Sequence, residues 1–164
     1  MTAFDLTTGN ARWRLPSVGI TGIFFDDKDM MYVNTTTASP DNLKYSRQID
    51  VSQRINSVVL KLDSKTGKTI WTAEPGGLLN YVSGKYIFTV KMYQPEEPDE
   101  DNPRIIHEES RVSPYLRIKR IDPSTGREMW EHFQQRAPLD IEFDKNIIRL
   151  VFRKEVQVLK FLAL

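Results

Sequence analysis

The chain has 164 residues, and 23 Lys and Arg set against 22 Asp and Glu leave a net charge of +1. That length can bury one ordinary hydrophobic core, but the even charge balance offers no clustered positive field for nucleic acid or an anionic membrane. With no cysteine, disulfides, thiol catalysis and thiolate-bound metal are excluded, while the compartment stays open.

The opening MTAFDLTTGNARWRL has no basic segment leading into an apolar stretch, so it does not read as a signal peptide. No apolar run anywhere approaches the roughly 20 residues of a membrane-spanning helix. Residues 1–5 and 11–15 read as two strands around the turn Asp5-Leu6-Thr7-Thr8-Gly9. ITGIFFDDKDMMYVNTT then reads as two strands joined by an Asp/Lys turn, followed by a long connection over residues 38–54. VVLKLDSKTGKTIWTA is a second hairpin of the opening kind. LLNYVSGKYIFTVKMY turns at Ser83-Gly84-Lys85, and a second long connection, residues 94–111, leads to RIDPSTGREMW. LDIEFDKNIIRLVF turns at Asp144-Lys145-Asn146, and VQVLKFLAL supplies one last strand. Each piece is about five to seven residues of β-branched and aromatic character bounded by turn residues. Helical periodicity is nearly absent.

Three segments coincide: AFDLTTGNARW, KLDSKTGKTIW and RIDPSTGREMW. They align Asp5, Asp63 and Asp122; Thr8, Thr66 and Thr125; Gly9, Gly67 and Gly126; and Trp13, Trp71 and Trp130. The tryptophans recur at intervals of 58 and 59 residues, and no other tryptophan exists in the chain. A turn this tight needs one residue with positive φ, hence Gly. Asp can accept hydrogen bonds from the turn's own N–H groups, with the Thr hydroxyl adding a weaker one. The Trp falls on the returning strand, where its apolar face can cover a joint with the next unit and its N–H can seek a backbone acceptor. The motif therefore has a complete folding explanation. Four strands per unit at this period predict an all-β β-propeller of four-stranded antiparallel blades.

Asp-x-x-Thr-Gly-x-x-x-Trp in a run of β-blades resembles the PQQ-type propeller repeat of quinoprotein alcohol dehydrogenases and their non-enzymatic relatives. One such relative is the propeller lipoprotein of the bacterial outer-membrane β-barrel assembly machine. The resemblance covers essentially the whole chain, taken as a single partial propeller domain over residues 1–164. It is specific for the repeat and not for an activity. The divisions are two strands in 1–15, complete blades in 19–73 and 78–132, and an incomplete blade in 139–164. That makes about three blades and thirteen strands, an incomplete ring, where propellers close with four to eight blades. Two readings follow: a C-terminal part of a larger propeller protein, or a chain that joins a second copy through its open blade edges. A periplasmic or cell-envelope setting is implied by the resemblance alone.

The long connections 38–54 and 94–111 join the same pair of strands and should emerge on one face, where loops on a rigid scaffold commonly bind. Tyr45, Arg47 and Arg54 in the first, and Asp99, Asp101 and Arg104 in the second, are the candidate partner contacts. The second holds three prolines and seven acids, the composition of a solvated acidic loop. Asp99-Glu100-Asp101-Asn102 offers oxygen atoms but lacks the alternation and glycine of a helix–loop–helix calcium site. His107 and His132 have no partner at zinc-ligand spacing, and neither a nucleophile-elbow nor a phosphate-loop motif occurs. The expectation is a non-catalytic, protein-binding scaffold needing neither PQQ nor calcium. The alternatives are a fragment of a PQQ-dependent quinoprotein dehydrogenase and a propeller subunit of an outer-membrane protein assembly machine. None of that family's catalytic residues maps to a position here.

Overall fold

A computed structural model of the protein describes residues 1–16, 19–36, 57–93 and 115–161. They form thirteen strands and no helix: β1 (Thr2–Phe4), β2 (Ala11–Arg14), β3 (Gly22–Phe25), β4 (Met30–Thr36), β5 (Ser57–Asp63), β6 (Thr69–Ala73), β7 (Leu78–Ser83), β8 (Tyr86–Tyr93), β9 (Tyr115–Ile121), β10 (Glu128–Gln134), β11 (Asp140–Asp144), β12 (Ile147–Val151) and β13 (Val156–Lys160). Their order gives four antiparallel sheets, β1-β2, β3-β4-β5-β6, β7-β8-β9-β10 and β11-β12-β13. Every connection is to the neighbouring strand, so each sheet is a simple meander.

The burial pattern explains why these residues make these strands. β11 and β13 alternate between exposed and half-buried positions, the mark of a sheet with one face toward a core. The second strands of the two four-stranded sheets behave differently. Met31, Tyr32, Val33, Asn34 and Thr35 on β4 are all buried, as are Tyr86, Ile87, Phe88, Thr89 and Val90 on β8. A strand covered on both faces cannot alternate, and its sequence becomes a continuous β-branched and aromatic run.

The covering comes from stacking in chain order. Met1, Trp13 and Leu15 of the first sheet pack on Met31, Val33, Leu60 and Leu62 of the second. The second sheet's other face gives Phe24, Tyr32, Val59 and Trp71 to a core with Leu79, Ile87 and Ile121 of the third. The third sheet's far face meets the fourth around Phe88, Val90, Leu116, Ile118, Ile148, Leu150 and Phe152. Phe88 lies at the centre of that last core, its ring 5.6 Å from that of Phe143 and 5.2 Å from that of Phe161. Tyr32 is fully buried, and its hydroxyl donates to Asp26 Oδ2 at 3.1 Å. Burial, together with the Asp26 charge, pushes its pKa up.

Candidate functional site

The three Asp-to-Gly turns close in the same way. The N–H of Gly9 donates to the Asp5 carbonyl at 2.8 Å, that of Gly67 to Asp63 at 2.8 Å, and that of Gly126 to Asp122 at 2.9 Å. The glycines take φ of 71°, 71° and 75°, a left-handed conformation that a Cβ would penalise. Inside each turn the Asp side chain replaces a missing backbone partner. Asp5 Oδ1 accepts from the N–H groups of Thr7 and Thr8 at 2.9 and 3.0 Å, and Asp63 Oδ1 accepts from Lys65 and Thr66 at 2.9 and 3.0 Å. Asp122 Oδ1 accepts from the N–H and the hydroxyl of Ser124 at 2.8 and 2.7 Å, and its Oδ2 from the Thr125 hydroxyl at 2.8 Å. The hydroxyls of Thr8, Thr66 and Thr125 each accept one further N–H at 3.3 to 3.4 Å.

Donors aimed at a carboxylate favour its charged form. The Thr8 N–H, then Arg12 and the Thr7 N–H, hold Asp5 down at about 2. The N–H groups of Thr66 and Lys65 lower Asp63, and the N–H of Ser124, followed by the Ser124 and Thr125 hydroxyls, lowers Asp122. These carboxylates are fixed acceptors, unsuited to exchanging a proton near neutrality.

Each hairpin also carries a bulge. Register runs from Ala3↔Trp13 to Phe4↔Ala11, from Lys61↔Trp71 to Leu62↔Thr69, and from Arg120↔Trp130 to Ile121↔Glu128. The unpaired residue is therefore Arg12, Ile70 or Met129, always the one before the tryptophan. A bulge re-aims the side chain that follows it. The exposure of Ile70 and Met129 follows from this shift, and an apolar residue beside Trp was the signal available in the sequence for it.

The re-aimed indoles reach forward to the next turn. Trp13 Nε1 donates to the Ser64 carbonyl at 3.0 Å, and Trp71 Nε1 to the Pro123 carbonyl at 3.1 Å. Ser64 and Pro123 are the same position, the residue after Asp, in successive turns. The ring meanwhile lies flat against the glycine of that turn. A methyl group on Gly67 would come within 2.5 Å of Trp13, and one on Gly126 within 2.8 Å of Trp71. Lys61 Nζ adds a second bond to the Pro123 carbonyl at 2.7 Å. The third tryptophan ends otherwise: Trp130 sets its ring edge-on to Phe161, 4.7 Å away, and the Phe161 carbonyl is taken by Asn146 Nδ2 at 2.9 Å. Lys160 is the last residue of β13 as Asp63 is of β5, and the residues after it, Phe161-Leu162-Ala163-Leu164, carry no Thr-Gly pair.

The opposite end of the sheets holds the candidate binding region. β5 and β9 run from the long connections toward the turns, so the connections spring from the Thr36↔Ser57 and Tyr93↔Tyr115 rungs, away from the indole joints. Tyr45, Arg47, Arg54, Asp99, Asp101 and Arg104 all lie outside the described residues. What the structure adds is a patch at the base of the second connection. Tyr115 and Phe133 have ring centroids 5.9 Å apart, Arg117 lies 5.8 Å from the Phe133 ring centre, and Arg117 Nε pairs with Glu131 at 2.8 Å. Phe133 is 51% exposed. In the sequence this patch is hidden, because its members come from two strands joined only by the sheet register. Nearby, the Arg136 guanidinium lies 4.2 Å from the Phe152 ring centre and pairs with Glu155 at 2.9 Å. Aromatic and arginine side chains are the residues that protein interfaces favour.

Among the described residues no cluster of three or more His, Asp or Glu is placed to hold a metal ion, and no helix is long and apolar enough to cross a membrane. No protein-family model, curated protein or solved structure matches the chain.

Proposed function

We propose that this chain is a non-catalytic segment of a PQQ-like β-propeller that serves as a protein-binding scaffold. The observation that carries the reading is the segregation of the two sheet ends. One end carries the repeated turns and the two turn-to-indole joints that link successive sheets. The other bears the two long connections and the exposed Arg117 and Phe133, packed beside the half-buried Tyr115. A scaffold with a joined end and a free end presents loops without altering its own packing.

Replacing residues 38–54 and 94–111 by short turns tests this. The expected result is an unchanged thermal midpoint with loss of binding to whichever protein the intact chain retains in solution. Loss of folding in both deletions would overturn the reading. Adding PQQ with calcium to the intact chain is expected to leave its absorbance and its midpoint where they were. A saturable change in either would favour the dehydrogenase alternative.

A further inference from the structure

The fourth sheet has three strands where the second and third have four. In those sheets the third strand, β5 or β9, is flanked on both sides, whereas among the described residues β13 pairs with β12 alone. The alternation of the ladder fixes which backbone groups β13 leaves free. The Glu155 carbonyl accepts from the Phe152 N–H at 2.9 Å and the Phe161 N–H donates to the Asn146 carbonyl at 2.8 Å. Odd-numbered residues from 155 to 161 thus turn their backbone toward β12, so Val156, Val158 and Lys160 turn theirs outward. Val156 and Val158 are 54% and 57% exposed. The edge has no proline, no inward charge and only one lysine, so it lacks most of the devices that keep strand edges apart.

We propose that β13 pairs antiparallel with β13 of a second copy about a twofold axis at Val158, merging two fourth sheets into one of six strands. Of the registers that use these outward groups, this is the one in which all three residues of each edge find a partner among the three of the other. With Val158 opposite its counterpart, Val156 faces Lys160 of the second copy and Lys160 faces its Val156. All outward N–H and C=O groups of the three residues then pair, giving about six hydrogen bonds. Four valines meet on one face of the joined sheet. The two lysines stand four residues apart along the strands, about 14 Å, which is beyond the screening length of about 8 Å at physiological salt. Shifting the axis to Lys160 would instead put the two ammonium groups face to face and keep only about two of those six bonds among the three residues. Twofold pairing of identical patches is also the commonest way for a chain to associate with itself. The pairing leaves the long connections untouched, so it stands or falls separately from their binding role, and it is the alternative to a larger ring in which a further strand takes the β13 edge.

The test is analytical ultracentrifugation of the 164-residue chain across a wide concentration range, with hydrogen exchange at both extremes. The expected result is a mass that rises to twice the monomer, with the amides of Val156, Val158 and Lys160 slowing at least tenfold at high concentration. Val158→Pro removes an N–H that no internal bond uses, and Val158→Asp places two carboxylates against each other. Both are expected to stay monomeric with unchanged circular dichroism, while Val158→Thr keeps the dimer. A monomer at every concentration would overturn the proposal. So would a dimer that survives both Val158→Pro and Val158→Asp, or one whose slowed amides lie elsewhere.

Discussion

Gly9, Gly67 and Gly126 separate two requirements that glycine usually confounds. All three need positive φ, but only Gly67 and Gly126 also have an indole where a Cβ would go. Gly9→Ala should therefore cost only the conformational term, about 1–2 kcal/mol. Gly67→Ala and Gly126→Ala should lose roughly 1–3 kcal/mol more through overpacking. Urea denaturation of the three variants measures the difference. Equal losses would mean that the ring contact contributes nothing. The aspartates make a second residue-scale prediction. Their folded pKa values lie below the unfolded value, so their stabilisation is present above about pH 4 and is lost as pH falls toward 2. The urea midpoint should hold between pH 7 and 5 and decline below 4. Asp63→Asn with Asp122→Asn should flatten that decline, because an amide keeps an acceptor oxygen but has no proton to gain.

At the scale of strands and sheets, the third core decides how firmly the last sheet is held. Phe88 is fully buried among Tyr81, Tyr86, Phe143 and Phe161, and Phe88→Ala should cost about 3–5 kcal/mol. Phe133→Ala, half exposed on β10 at the edge of the same sheet, should change the thermal midpoint by little. The contrast is read by calorimetry on the two variants. Much of this level was legible beforehand. Thirteen short strands followed from turn residues spaced along β-branched runs, and their all-β antiparallel character follows from the same signals. What stayed hidden was the register. A bulge before each tryptophan and the meeting of Tyr115 with Phe133 depend on which residues lie opposite each other. That is a property of a paired strand, absent from either strand alone. The departure at Trp130 was half visible, since the segment after β13 has no Asp or Thr-Gly pair, but nothing in the sequence announced Asn146 as the group that takes over the Phe161 carbonyl.

Across the described residues, the three buried cores each join two sheets that are neighbours in the chain. Stability in such a stack is approximately a sum over units and joints, so damage at one joint should weaken the pair it links before it is felt further away. Trp71→Phe is the corresponding probe. It keeps a ring in the second core and removes the bond to Pro123, and hydrogen exchange should report faster opening in β5, β6 and β9 with little change in β12. Uniform loss of protection would show that the sheets open together. The proposed contacts of the long connections were named from composition and position, and the structure contributes only where those connections begin and end.

The joint between sheets also has a direction. Every motif carries both halves of the coupling, a cradle made by its turn and a plug made by its tryptophan, and the plugs of the first two motifs each seat in the cradle that comes next in the chain. Copying one such unit in tandem would supply a fresh cradle and a fresh plug together, with no matching change needed elsewhere. Chains built this way can lengthen or shorten by whole units while every surviving seam keeps its fit.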